Sequence, residues 1–328
     1  MLSQPEIRAV LLKPFLRTSY NFPFPYFMPS SIIKGFFLAV LAAMLWGVSG
    51  TFGQFLFQQR GINVEWLITL RMLVSGTILL LFARFGEKSD LWSIWKNKKD
   101  AIQLLIFSTT GMLAVQYTYF AAIKHSNAAT ATVLQYAGPV FIAIYLAAKN
   151  KKLPRPIEYL AIALAVGGTF LLVTHGNIHS LAISGTALFF GLASAVTLAI
   201  YTLQPIALLS RYKSSIIIGW GMLLGGLAFS FIKAPWAIEG QWDTQTYLYT
   251  GFIVLFGTLI AFYSYLTAVQ IIGGQKASLL ASAEPLSATI MAVLWLQVPF
   301  STIDWIGSIC IISTIFLLSK KSKESISA

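Results

Sequence analysis

Glu284 is an acidic residue inside an apolar run, in "GQKASLLASAEPLSATI" (274–290). It lies eight residues into a stretch long enough to cross a membrane, roughly 12 Å from its start at 1.5 Å per residue. An ionised side chain at a bilayer centre costs at least about 2.5–3.5 kcal/mol. Glu284 must therefore face a cavity, find a partner or take up a proton. Proton uptake is the chemistry of a coupled transport site; a protonated carboxyl bonded to a neighbouring helix is the structural alternative.

Arg71, in "TLRMLVSG" (69–76), is the second charge inside an apolar run. Its planar fork can hold a carboxylate through two hydrogen bonds, or pair with Glu65 or Glu284 as a structural anchor. Gln54, Gln135, Tyr136, Tyr201 and Trp220, with Trp46 beside Gly47, are polar or aromatic groups that can line a pathway. Bonding between helices and anchoring at the membrane interface account for them equally well. Lys276 opens the helix that carries Glu284, where a cation opposes the helix dipole, so it serves topology or gathers anions at the mouth. Pro139 and Pro285 each remove a donor from a helix interior and should bend it, freeing carbonyls.

Other chemistries lack their residues. His125, His175 and His179 show no paired spacing or acidic cluster, so no metal is expected. The single cysteine, Cys310, rules out an internal disulfide or thiolate cluster. No phosphate-cradling Gly-rich loop or nucleophile motif occurs, which argues against an ATP-driven pump or a conventional hydrolase, and no cofactor is implied.

The elements that position these residues are membrane helices. The chain is 57% hydrophobic and only 10% charged, with a mean hydropathy of +0.74, far from the roughly one-quarter charged content of soluble domains. Apolar runs predict ten spans near 32–54, 64–85, 102–123, 127–148, 157–174, 183–208, 214–233, 246–270, 276–297 and 303–319. The expected class is an all-α membrane protein in a lipid bilayer. The formal charge of +12 does not indicate nucleic acid, because no polar domain gathers it on one face. Instead, nineteen basic residues fall outside the spans on one side and three on the other, placing both termini in the cytoplasm. The loop 86–101 reads as an interfacial segment anchored by Trp92 and Trp95.

The chain also repeats itself. "NAATATVLQYAGPVFIA" (127–143) aligns with 274–290 at an offset of 146, placing Pro139 on Pro285 and Gly138 on Glu284. The same offset pairs Tyr117 with Tyr263 and Tyr119 with Tyr265, and an offset of 150 pairs "GFFLAVLAAML" (35–45) with "GTALFFGLASA" (185–195). Each repeat holds five spans, so the second enters the membrane from the opposite side, giving an inverted repeat. The expected organisation is an N-terminal extension over 1–29, with Met28 as an alternative start, repeats over 32–174 and 182–320, and a tail over 321–328. One repeat keeps a small residue at 138 where the other carries a carboxylate at 284, which yields a pseudo-symmetric cavity with an asymmetric site.

Together "LWG" (45–47), the arginine of 69–76, "NAATATVLQYAGP" (127–139), "GTFLLVTHGN" (168–177) and "GGQKASLLASAEPLSA" (273–288) resemble the EamA family of the drug/metabolite transporter superfamily, closest to its bacterial carboxylate/amino acid/amine branch. The resemblance covers about 32–320. It implies two inverted EamA repeats around a central cavity, in a bacterial inner-membrane secondary transporter exporting small metabolites such as amino acids or amines. Coupling to protons through Glu284, an uncoupled facilitator, and a membrane-embedded enzyme or lipid-handling protein remain distinct readings of the same residues. Two fused repeats form a complete pseudo-dimer, so a monomer is expected.

Overall fold

The computed structural model describes residues 30–149, 151, 156–174, 183–273, 277, 280, 281 and 283–319. The N-terminal extension, His175, His179, Lys276 and the tail over 321–328 lie outside the described residues. Among the described residues the main helices are, in order, α1 Ser30–Gln59, α2 Val64–Gly86, α3 Lys98–His125, α4 Ala128–Gln135, α5 Gly138–Lys149, α6 Pro156–Thr174, α7 Gly185–Leu209, α8 Ser214–Ser230, α9 Thr244–Ile272, α10 Ala283–Leu294 and α11 Thr302–Ser319. No strand occurs among the described residues. Helices α1, α2, α3, α7 and α9 are each long and apolar enough to cross a membrane, and the shorter apolar helices supply the remaining spans. This is an all-α membrane fold of ten spans in two inverted five-span repeats.

Side-chain exposure is inverted relative to a water-soluble protein. Phe37, Phe85 and Phe189 face outward, each more than 60% exposed, while Arg71, Gln116, Thr132, Gln135 and Glu284 are buried. Helix starts are fixed locally by side chains that accept the first free amides. Asn63 accepts from the Trp66 amide, Asn97 from those of Lys99 and Asp100, and Asn127 from that of Thr130. Ser184 and Asp243 do the same for Ala187 and Thr246. Asn127 thereby lets the short "HSN" break turn the chain directly from α3 into α4.

Helix packing obeys the repeat. α1 packs on α9 as α7 packs on α3, and α1 meets α10 as α7 meets α4 and α5. α2 lies against α8, and α6 against α11, each helix meeting its own counterpart. Even an irregularity is duplicated: α3 widens into a π turn over Phe107–Leu113, and α9 does so over Leu255–Ile260. Gly111 and Gly257, 146 residues apart, lie inside these turns.

The fourth span differs from the continuous bent helix expected over 127–148. α4 stops at Gln135, Tyr136 and Ala137 form a turn, and α5 starts at Gly138. Pro139 thus occupies a first turn rather than a helix interior. Pro285 stands likewise in the first turn of α10, whose first residue is Ala283. A first helical turn has no amide bond for proline to lose, so a break costs less there than a kinked continuous helix.

Candidate functional site

The two broken spans bring their polar groups together at the centre of the bundle. The Tyr136 hydroxyl donates to Glu284 Oε2 at 3.0 Å and also contacts the Ala281 carbonyl, which accepts the Glu284 amide at 2.9 Å as well. The Tyr119 hydroxyl forms a 2.7 Å bond with Thr132 Oγ1 and lies near the same carboxyl. Glu284 is 4% exposed. One hydroxyl proton cannot serve two acceptors at once. When Tyr136 donates to Ala281, Glu284 keeps a bond to that hydroxyl only if its carboxyl carries a proton of its own. The arrangement therefore has one closed pattern for the carboxylate and another for the carboxylic acid.

Glu284 borders a cavity of about 40 Å³ that is also lined by Trp46, Arg71, Gln116, Gln135 and Tyr201. A second space of about 20 Å³ lies on its other side, next to Tyr136, Thr202 and Tyr265. About 10–15 Å³ admits one water, so each space is no larger than a few waters.

The polar atoms around the cavity converge without being used. Trp46 Nε1, Arg71 Nε and Nη1, Gln116 Oε1 and the Tyr201 hydroxyl are buried and make no hydrogen bond among the described residues. Each such group costs about 1–3 kcal/mol. Arg71 forms no ion pair with Glu65 or Glu284, and its guanidinium instead sits over the Phe120 ring, 4.5 Å from the centroid. Tyr201 stacks on Phe107 and Tyr265 and meets Phe262 edge-on. Trp46 packs 5.1 Å from both Phe262 and Tyr265. These aromatic contacts fix the positions of the free donors.

Two glycines allow the close approach. A Cβ on Gly47 would lie 2.8 Å from both Ala288 N and Glu284 O, so α1 touches the backbone of α10 at the carboxylate. A Cβ on Gly138 would lie 3.1 Å from the Ala195 carbonyl. The position that corresponds to Glu284 thus packs closely against α7, and a side chain there would need the Ala195 carbonyl to give way.

The remaining expected site residues divide plainly. Gln135 joins the cavity. Gln54 does not; its Oε1 accepts from the Ala128 amide at 2.8 Å and supports the start of α4. Trp220 belongs to a separate aromatic group, donating to the Leu91 carbonyl at 3.0 Å and packing against Trp92 and Trp95. His125 stacks on Phe190. Sequence reasoning missed Gln116 and did not assign Tyr119 to the site, although the repeat alignment that matched Tyr119 with Tyr265 carried the signal.

An EamA-like transporter family model matches residues 33–174 and again 185–320. An uncharacterized inner membrane transporter of Salmonella typhimurium, YicL, is 40% identical over 291 residues, spanning 89% of this chain and 97% of its own. An uncharacterized transporter of Bacillus subtilis, YetK, is 26% identical over 300 residues, with 88% of each chain covered. A solved structure 16% identical in sequence superposes with a TM-score of 0.61 over 90% of this chain and 98% of that one, a likeness of fold.

Proposed function

Because the chain belongs to the EamA-like transporter family, we propose that it is a secondary transporter exporting amino acids, amines or related small metabolites by alternating access, with Glu284 as its proton-coupling group. The observation that carries this reading is that Trp46, Arg71, Gln116 and Tyr201, whose buried polar atoms have no hydrogen-bond partner among the described residues, all line one small cavity beside a buried carboxyl. A bundle that only needed to be stable would pair or delete those groups; a site that receives a polar solute keeps them open.

In this reading the roles divide by chemistry. Arg71 receives a carboxylate of the solute, since two of its nitrogens are free and Phe120 holds its plane. Glu284 exchanges a proton against the solute, with Tyr136 and Tyr119 completing its bonds in either protonation state. Trp46 and Tyr201 supply aromatic walls with one donor each. The breaks before Pro139 and Pro285 provide flexible joints beside the site, and Lys276 gathers anions at the mouth. The protein is read as a monomer in the bacterial inner membrane with both termini cytoplasmic, as the loop charges favour.

The test is flux in proteoliposomes of purified protein, using labelled amino acids and amines, with and without an inward proton gradient. Gradient-stimulated efflux that Glu284→Gln abolishes without unfolding the protein supports coupling. Efflux that neither the gradient nor the substitution alters makes the protein a facilitator. No flux for any solute tested would return the reading to a lipid-handling or enzymatic membrane protein.

A further inference from the structure

At each face of the bundle, an arginine of one repeat is paired with an aspartate of the other. Arg60, in the turn after α1, meets Asp243 at the cap of α9, 3.0 Å from Nη2 to Oδ2, and the same nitrogen reaches Gln245 Oε1 at 3.1 Å. On the opposite face Arg211, in the turn after α7, meets Asp100 in the first turn of α3 at 2.8 Å. The Tyr212 hydroxyl donates to the other oxygen of Asp100 at 2.7 Å. α1 and α7 are counterparts, as are α3 and α9. The two pairs are therefore one contact made twice, once per face, with the repeat that supplies the arginine exchanged.

Each repeat is meanwhile tied to itself by neutral bonds at the same ends. The Gln58 amide at the end of α1 donates to the Ile123 and Ser126 carbonyls at the end of α3. The Gln270 amide near the end of α9 donates to the Leu209 and Tyr212 carbonyls at the end of α7. A motion that opens one face by separating the repeats there leaves the glutamine bonds intact and parts the arginine pair of that face.

We propose that the Arg60–Asp243 and Arg211–Asp100 pairs are the two latches of alternating access, each parting when its own face opens and staying closed when the other opens. This inference rests on the transporter reading. Both latches are closed here, in keeping with a cavity of only about 40 Å³ between them. They are unequal. The Asp243 side chain is 49% exposed and that of Asp100 only 2%. Solvent screens the first pair and weakens it, whereas parting the second strands a buried carboxylate until water reaches it. The face carrying Arg60 therefore opens more readily.

The experiment measures access without requiring a substrate. In a Cys310→Ala background, Ser49→Cys places a thiol on the cavity wall. A membrane-impermeant maleimide is then applied to right-side-out and inverted vesicles. Arg60→Gln is expected to raise the labelling rate several-fold from its own face and to leave or lower it from the other; Arg211→Gln should do the reverse with a larger change. Asp243→Asn keeps an oxygen to cap α9 while removing the charge, so it should reproduce the change made by Arg60→Gln, and the double variant should go no further than either alone. Equal changes from both faces, no change with either arginine variant, or additive changes in the double variant would overturn the proposal. Should Arg211→Gln fail to fold, the Arg60 and Asp243 variants decide the matter alone. Since labelling needs no flux, a protein that carries none of the tested solutes still reports on the latches.

Discussion

Tyr136, in the turn that interrupts the fourth span, reaches across the bundle to the Ala281 carbonyl at the corresponding interruption of the ninth. Two breaks that would each expose backbone to hydrocarbon are thus closed against one another. Glu284 sits one turn beyond this closure and shares the same hydroxyl.

Tyr136→Phe should therefore act on stability and transport together. Leaving one buried acceptor short of its hydroxyl donor costs about 1–3 kcal/mol, readable as a lower midpoint of thermal unfolding in detergent. Gradient-driven flux should fall further than the loss of folded protein accounts for. Wild-type flux at a lowered midpoint would show that the hydroxyl serves packing only.

Gly47→Ala should destabilise the protein by about 1–3 kcal/mol, because the added methyl meets the Ser287 hydroxyl and, behind it, the backbone of α10 at Ala288 N and Glu284 O, which cannot turn aside. Gly251→Ala is the matched control, since a Cβ there meets nothing within 4 Å. Similar unfolding midpoints for the two variants would contradict the close contact between α1 and α10.

Arg71→Gln should raise KM for a carboxylate-bearing substrate about 10- to 100-fold, the worth of a charge-assisted hydrogen bond of about 1.5–3 kcal/mol. An amine that lacks a carboxylate should be carried as before. Equal loss for both solutes would make Arg71 a packing anchor on Phe120.

The pH response of the Arg60 latch can be separated from that of the site. Asp243 is held below its ordinary value of 3.8, first by the Thr246 amide and hydroxyl and then by Arg60. A carboxylate whose folded value is lowered keeps its stabilising contribution at neutral pH and loses it only as pH falls through that lowered value. Between pH 5 and 8 Asp243 stays ionised, so Asp243→Asn should change the rate of gradient-driven flux without changing the shape of its pH profile. A profile whose midpoint moves with Asp243→Asn would place the coupling proton at the latch.

The sequence carried the repeat because apolar helices tolerate few changes of length: the offset of 146 holds from Tyr117 and Tyr263 to Pro139 and Pro285. Glu284 and Arg71 stood out because a charge in an apolar run is costly wherever it sits. Gln54 and Trp220 looked equivalent to Gln135 and Tyr201, since which face of a span meets the cavity depends on helices far away in the chain. The break at Tyr136 was hidden because the apolar run continues through it. The latches were hidden by small slips in register. Arg60 and Arg211 are 151 residues apart, Asp100 and Asp243 only 143, and Asp243 aligns with Asn97, which caps α3 as Asp243 caps α9.

The paired π turns work as a phase shift. A turn closed through five residues instead of four holds one residue more, and that residue rotates everything after it by about 100° around the helix axis. In α3 the shift falls between Phe107, whose ring stacks under Tyr201, and the stretch that turns Gln116 and Tyr119 inward. Deleting a single residue inside the turn would leave an ordinary, well-bonded α-helix that still crosses the membrane, yet it would swing both side chains from the cavity towards lipid. The extra residue in each repeat is what lets one helix pack by one face at its start and present a different face to the site at its end.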